Sequence, residues 1–391
     1  MSNNDNEFER IDRFGTFSAS WDCLASEYGA DFISLAIAEM DFETAPEVKQ
    51  AITNAAGHGI YSYTEVFPEF GQACANWFER RHNWSFGAND VVFTPRIIEM
   101  IAALCTHVFP KARIGTFSPY YGPIIEVVER SGAHLTELLL VDDGFGNWSF
   151  DAEQMRESFT HIDVFILTNP HNPTGKLFSY EELVSILRLA EENGVVIISD
   201  DVHCDILRPG KQWIPIAKIA GELKSPVKIV TCVSPAKSFN VAGIETAAAI
   251  ISDPVLRQQA REALRAAGIH NPNFFALPTA IAAWNSDGAW IDRLNVHLTS
   301  NLNYAAKRLV EVEGLRVTVP PATYLLWVHA PDLMPNREAC NEVIKTTRVV
   351  FGPGENYGSQ WSGYFRLSTA VPHATLQEAT ARLIGKFQAL Q

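Results

Sequence analysis

Residues 227–237 read VKIVTCVSPAK, an apolar run followed at once by serine, proline, alanine and a lysine. A short run so rich in valine and isoleucine has the character of an interior strand, and an ammonium at its end is costly to bury without a partner. The run has counterparts in VVF (91–93), RIGTF (113–117), DVFILTN (163–169), GVVIISD (194–200) and TAAAIIS (246–252). Amphipathic stretches lie between them. In SYEELVSILRLAEENG (179–194), Leu183, Ile186, Leu187 and Ala190 share one helical face and Gly194 marks the stop. The alternation predicts an α/β fold in which helices cover a largely parallel sheet. Segment 290–314, with Leu294, Leu298, Leu302 and Leu309 on one side, predicts a single long helix leading from a large domain into a smaller one.

The chain has 391 residues, enough for two domains and a deep pocket. Its 31 Lys and Arg stand against 45 Asp and Glu, a net charge of -14 that disfavours nucleic acid or an anionic membrane as partner and favours a small molecule. The opening MSNNDNEFERIDRF lacks a basic start followed by an apolar core, and no later apolar segment is long enough to span a bilayer. A cytoplasmic location is the expectation. Six scattered cysteines form no Cys-x-x-Cys pair, so neither a disulfide framework nor a zinc ribbon is signalled. His171 and His203 have no carboxylate or cysteine at ligand spacing, so no metal is expected. Gly144-Phe145-Gly146 lacks the context of a dinucleotide loop and is read as a turn.

In such folds ligands bind beyond the carboxyl ends of the strands. One run ends in NPHNPTGK (169–176), where two Asn-Pro steps and Thr-Gly force a tight, irregular loop rather than a helix, from which the Asn172 amide could point inward. A second ends at Asp200 and a third at Ser234 and Lys237. An amide, a carboxylate and an amine closing separate strands suit pyridoxal 5′-phosphate (PLP). That group needs an amine for its aldehyde, an anion for its ring nitrogen and a donor for its phenolic oxygen. Taken singly, each residue would most often be a satisfied structural group; the ordered combination carries the reading.

HNPTGK (171–176), ISDDVH (198–203) and SPAKSF (234–239), in that order, resemble the fold-type I aminotransferase family, classes I and II, and the resemblance extends over nearly the whole chain. FGTFSASWD (14–22), AEMDFETAPEV (38–48), GIYSYTE (59–65), KSFNVAG (237–243), ATYLLWV (322–328) and GYFRLSTA (363–370) resemble more narrowly its MalY/PatB branch, the cystathionine β-lyase-like carbon–sulfur lyases. The resemblance implies a large PLP-binding domain over 45–288 with a mostly parallel seven-stranded sheet. A smaller α/β domain would be made of 1–44 with 289–391.

By position, Lys237 resembles the Schiff-base lysine, Asp200 the partner of the pyridine nitrogen and Asn172 the donor to the phenolic oxygen. Tyr121 in SPYYGP looks like the aromatic stacked on the ring, with Val202 on the opposite face and His203 as a second neighbour of the phenolic oxygen. Ser234 and the turn at Arg96, Ile97 and Ile98 fall where the cofactor is held. Arg366 resembles the arginine that grips the substrate carboxylate, with Asn172, Glu39 and Tyr324 beside it. Tyr63 is similar to a tyrosine that reaches the phosphate of a neighbouring subunit, which implies a homodimer.

Four positions depart from the pattern. Glu245 stands eight residues after the lysine, where many aminotransferases have arginine, and would repel a phosphate it faced. Arg96 replaces a small residue in the phosphate turn and is a candidate to supply the missing charge. Glu39 stands where the branch has aspartate, and Pro235 just before the catalytic lysine is also atypical. The activity implied is a PLP-dependent β-lyase acting on cystathionine or another L-cysteine S-conjugate; the alternative is an aminotransferase or specialised biosynthetic enzyme of the same fold.

Overall fold

The computed structural model describes residues 7–391; the first six residues of the small domain expected from the sequence lie outside them. The large sheet has eight strands, in the spatial order Val91–Thr94, Ala247–Ile250, Ile229–Val233, Val196–Asp200, Val164–Thr168, Arg113–Ser118, His134–Asp142 and Trp148–Phe150. The five strands from Ile229–Val233 to His134–Asp142 pair in parallel, while Ala247–Ile250 runs antiparallel to both its neighbours.

Seven strands were expected, and the eighth comes from a hairpin at the edge. His134–Asp142 pairs with Trp148–Phe150 around Gly144 and Gly146, both at positive φ, with Asp142 Oδ1 accepting from their two N–H groups. The hairpin is faint in sequence because only Leu138 and Leu140 of the first strand are buried, leaving an alternating, half-exposed edge. The turn itself was anticipated.

The central strands Val164–Thr168 and Ile229–Val233 are buried at every position, which is why they read as continuous apolar runs. Helix Tyr180–Asn193 covers them as the sequence predicts. Ser179 caps its start in a capping box with Glu182, its Leu183, Ile186, Leu187 and Ala190 are buried, and Gly194 ends it at φ +68°. The long helix is Ala289–Leu309, shorter than expected because the chain turns at Val310 and reaches Gly314 at φ +80°. Its four named leucines are fully buried.

A second sheet of three antiparallel strands, Leu325–His329, Tyr364–Ser368 and Gly352–Pro353, carries Arg366 on its middle strand. Ile33–Ser34 pairs in parallel with Val349–Val350, and Trp21, Phe32 and Leu35 pack in one core with Leu302, Leu326 and Phe365. Ala38, Met40 and Phe42 instead share a core with Val91, Ala248 and the first half of the long helix. The N-terminal segment thus runs across both bodies. Among the described residues no helix is long and apolar enough to cross a membrane.

Candidate active site

Three strand ends meet where the sequence points. Thr168 leads into the loop that carries Asn172, Asp200 closes its own strand, and Val233 is followed by the short helix Pro235–Ser238 with Lys237 on it. Ser234 caps that helix, accepting from the Ala236 N–H at 3.0 Å, while Pro235 fills the first helical position, where no N–H is needed. The Asn172 loop is fixed from outside. Gly175 sits at φ +68°, and a Cβ there would lie 2.4 Å from the Cβ of Pro320.

Lys237, Asp200, Asn172, Tyr121, Val202, His203 and Arg366 all line one cavity of about 580 Å³. Lys237 Nζ donates to the Ala38 carbonyl at 2.6 Å. Burial, reinforced by the Arg366 charge, lowers its pKa to about 8, against the attraction of Glu39 and Asp200. Among the described residues the Asp200 carboxylate accepts only from the Val202 N–H, at 3.3 Å, and burial raises its carboxyl to about 6 even with Lys237 nearby. His203 is buried and held neutral, its Nδ1 without a partner among the described residues. Arg366 donates through Nη1 to Asn172 Oδ1 at 3.0 Å and through Nη2 to the Ala36 carbonyl at 2.6 Å, with its guanidinium 5.0 Å from the Tyr357 ring centroid.

The other candidates lie elsewhere. Ser234 Oγ is committed to the Thr246 carbonyl and the helix cap rather than to the cavity. Arg96 caps helix Ile97–Ala103, and its guanidinium is paired with Glu245, so the two departures from the family pattern neutralise each other. Ile97 and Ile98 form the first turn of that helix and do not line the cavity. Glu39 is not among the lining residues; it lies 2.9 Å from Arg13, which also reaches Asp41. Tyr324 is buried behind the cavity and donates to the Ala38 carbonyl at 3.0 Å. Tyr63 is 97% exposed, among the exposed side chains of Ile60, Tyr61, Val66 and Phe67.

Several lining residues went unnoticed in the sequence: Ile37, Glu126, Phe351, Asn356 and Tyr357. The GPGENYG segment just before GYFRLS was the available signal for the last two, since glycine-rich loops bring backbone close to ligands. The carbonyls of Ala36 and Ala38 carry no signal at all. A group made of His82, Cys204 and Asp205 also brings three ligand-type atoms within 4.8 Å of one another. Asp205 is already spoken for, however: His82 Nε2 lies 2.8 Å from one carboxylate oxygen, Trp77 donates to that same oxygen at 3.3 Å, and Ser238 donates to the other at 2.9 Å.

The chain is 30% identical over 380 residues to the cystathionine beta-lyase PatB of Bacillus subtilis, an alignment covering 96% of this chain and 98% of that one. It is 29% identical to protein MalY of Escherichia coli, covering 97% and 98%. Its fold matches the PLP-bound C–S lyase of Staphylococcus hominis with a TM-score of 0.90 at 26% identity, covering 98% of each chain. Residues 30–383 match the aminotransferase class I and II family, and with strand order, strand-end residues and this match in agreement, the chain belongs to that family.

Proposed function

We propose that this protein holds PLP in the cavity around Lys237 and uses it to cleave the Cβ–S bond of cystathionine or another L-cysteine S-conjugate, releasing a thiol, pyruvate and ammonia. The observation that carries this reading is the meeting of an amine, a carboxylate, an amide and a guanidinium from four distant segments in one cavity. The residues suit the cofactor. Asp200 is a buried carboxyl that lacks a cationic partner strong enough to ionise it fully, which a pyridinium nitrogen provides, and the free Nδ1 of His203 offers a further polar contact.

Lys237 would hold the aldehyde, Asp200 the ring nitrogen and Asn172 the phenolic oxygen, with His203 beside it and Tyr121 and Val202 on the two ring faces. Bound there, PLP supplies an electron-poor ring that takes up the charge left at the substrate α-carbon. Because Asn172 Oδ1 is occupied by Arg366, its Nδ2 is the atom left to donate. Arg366 grips the substrate carboxylate. Lys237, once released, accepts the α-proton at Nζ, a task suited to an amine with a pKa of about 8. The Cβ–S electron pair then leaves with sulfur, which takes up a proton as the thiol, and water hydrolyses the three-carbon enamine that remains to pyruvate and ammonia. Arg96 and the first turn at Ile97 and Ile98 are assigned to the phosphate end, where Tyr63 of a second copy joins them, while Ser234 serves by capping the helix that carries Lys237. Glu39 acts through its field on Lys237 and Tyr324 by supporting the Ala38 carbonyl.

In this reading the chain divides into 45–288 and 1–44 with 289–391, the second part lending Arg366 and the Ala36–Ala38 carbonyls to the cavity. The lyase reading over transamination rests on the likeness to PatB across almost the entire length. Incubating the PLP-loaded protein with cystathionine, with and without a keto-acid acceptor, separates the two. Pyruvate and free thiol in equal amounts, independent of acceptor, support the lyase. Acceptor-dependent formation of a new amino acid without thiol release refutes it.

A further inference from the structure

Behind the active site lies a second cavity, of about 650 Å³, with Arg208 in its wall. Arg208 is only 7% exposed, and none of its three guanidinium nitrogens has a hydrogen-bond partner among the described residues. Burial alone lowers its pKa to about 10, and no carboxylate offsets that cost. A guanidinium left this way is expensive, and proteins retain such groups where an anion completes them.

The other charges around the cavity leave it electropositive. Arg81 is neutralised by Asp292 at 2.8 Å and His82 is engaged by Asp205 at 2.8 Å, while Arg80 is spent on the carbonyls of Trp284 and Ser286. Lys211 and Lys218 join Arg208 in the lining without an ion pair among the described residues, against a single unpaired carboxylate, Glu222. Counting every charged side chain of the lining with His82 neutral, five cations (Arg80, Arg81, Arg208, Lys211 and Lys218) face three carboxylates (Asp205, Glu222 and Asp292), which leaves room for two negative charges. The planar fork of an arginine matches phosphate oxygens, and a phosphate monoester is close to a dianion at neutral pH. The volume exceeds that of a bare phosphate, and Trp213 and Leu207 supply an apolar wall for an attached organic group.

We infer that this cavity is a binding site for a phosphate group, free or carried by a small metabolite, separate from the site around Lys237. The stretch from Asp200 to Arg208 forms the partition: Val202 and His203 line the active-site cavity, and Asp205, Leu207 and Arg208 line this one.

The inference does not depend on the lyase reading, and its test uses the PLP-loaded protein so that the cofactor's own phosphate site is already filled. Isothermal titration and thermal melting with inorganic phosphate, with glycerol 3-phosphate and with chloride as control are compared for the wild type, Arg208→Met and Lys218→Ala. Saturable binding of one equivalent, with a rise in Tm of about 2 °C or more at tenfold excess over Kd, is expected for the wild type. Tighter binding of glycerol 3-phosphate marks a metabolite site; equal or tighter binding of inorganic phosphate marks a site for the free ion. Arg208→Met should fold and, in anion-free buffer, melt no lower than wild type, yet gain nothing from phosphate. Lys218→Ala should weaken binding severalfold. No saturable phosphate binding by the wild type, or the same gain in Arg208→Met, overturns the inference.

Discussion

Asn172 and Arg366, 194 residues apart, are joined by a hydrogen bond of 3.0 Å from the guanidinium to the amide oxygen. The bond ties the loop beyond one strand of the large sheet to the middle strand of the small one, and it sets which face of the amide is free to donate. Replacing Arg366 with lysine removes the fork that reaches both Asn172 and the Ala36 carbonyl. Arg366→Lys should raise KM for cystathionine about 10- to 100-fold, with a smaller loss in kcat, since a charged hydrogen bond to substrate is lost in ground and transition states alike. Steady-state kinetics check this; an unchanged KM would remove Arg366 from the substrate site.

Asp200 makes the stability of the apoprotein depend on pH. Its carboxyl is raised from the ordinary 3.8 to about 6, so the folded chain binds more protons than the unfolded one across that window. Stability of the apoprotein therefore falls as pH rises from the lower value through the upper, by an amount on the order of 3 kcal/mol. Asp200→Asn abolishes the effect: its apoprotein should melt above wild type at pH 8, the gap closing toward pH 4. Its PLP affinity should fall. Melting curves on both forms decide the matter, and an apoprotein variant less stable than wild type at pH 8 counts against the assignment.

The pair formed by Arg96 and Glu245 predicts effects of opposite sign on cofactor affinity. Arg96→Ala should weaken PLP binding roughly tenfold, whereas Glu245→Gln, which frees the guanidinium, should tighten it. Fluorescence titration of the apoprotein with PLP gives both values. If Arg96→Ala binds PLP as wild type does, the guanidinium has no part in holding phosphate.

Tyr63, exposed beside Ile60, Val66 and Phe67, predicts a second copy of the chain on this face. Sedimentation should show a dimer. Tyr63→Phe should weaken PLP binding, and mixing it with Lys237→Ala should restore activity in the mixed dimers that pair an intact lysine with an intact tyrosine. A monomer with full activity would exclude the shared arrangement.

Much of the site was readable because the α/β architecture obliges it to lie at strand ends: Asn172 and Lys237 each follow a fully buried run, and Asp200 closes one that is buried except at Val196. The capping role of Ser234 was also present in the Ser-Pro pair, a helix-start signature overlooked in favour of a ligand contact. Glu39 was harder. Its partner, Arg13, lies 26 residues away, and no local pattern announces a bridge between two irregular segments. The edge hairpin over 134–150 was missed in part because half-exposed strands lack the continuous apolar run that betrays a central one. Backbone acceptors such as the Ala38 carbonyl are common to every residue, so sequence alone gives them no address.

That carbonyl has a consequence for how the front of the chain is tethered. It receives two donors, the Lys237 amine and the Tyr324 hydroxyl, while Asn240 clamps the carbonyls of Met40 and Phe42 a few residues on. Engaging the amine elsewhere removes one of these moorings and leaves the others, so the strap over residues 36–39 slackens without coming loose. Loading the enzyme then trades rigidity in the strap for order in the cleft, and faster amide hydrogen exchange at those few residues, against slower exchange around Asn172, is the signature to seek.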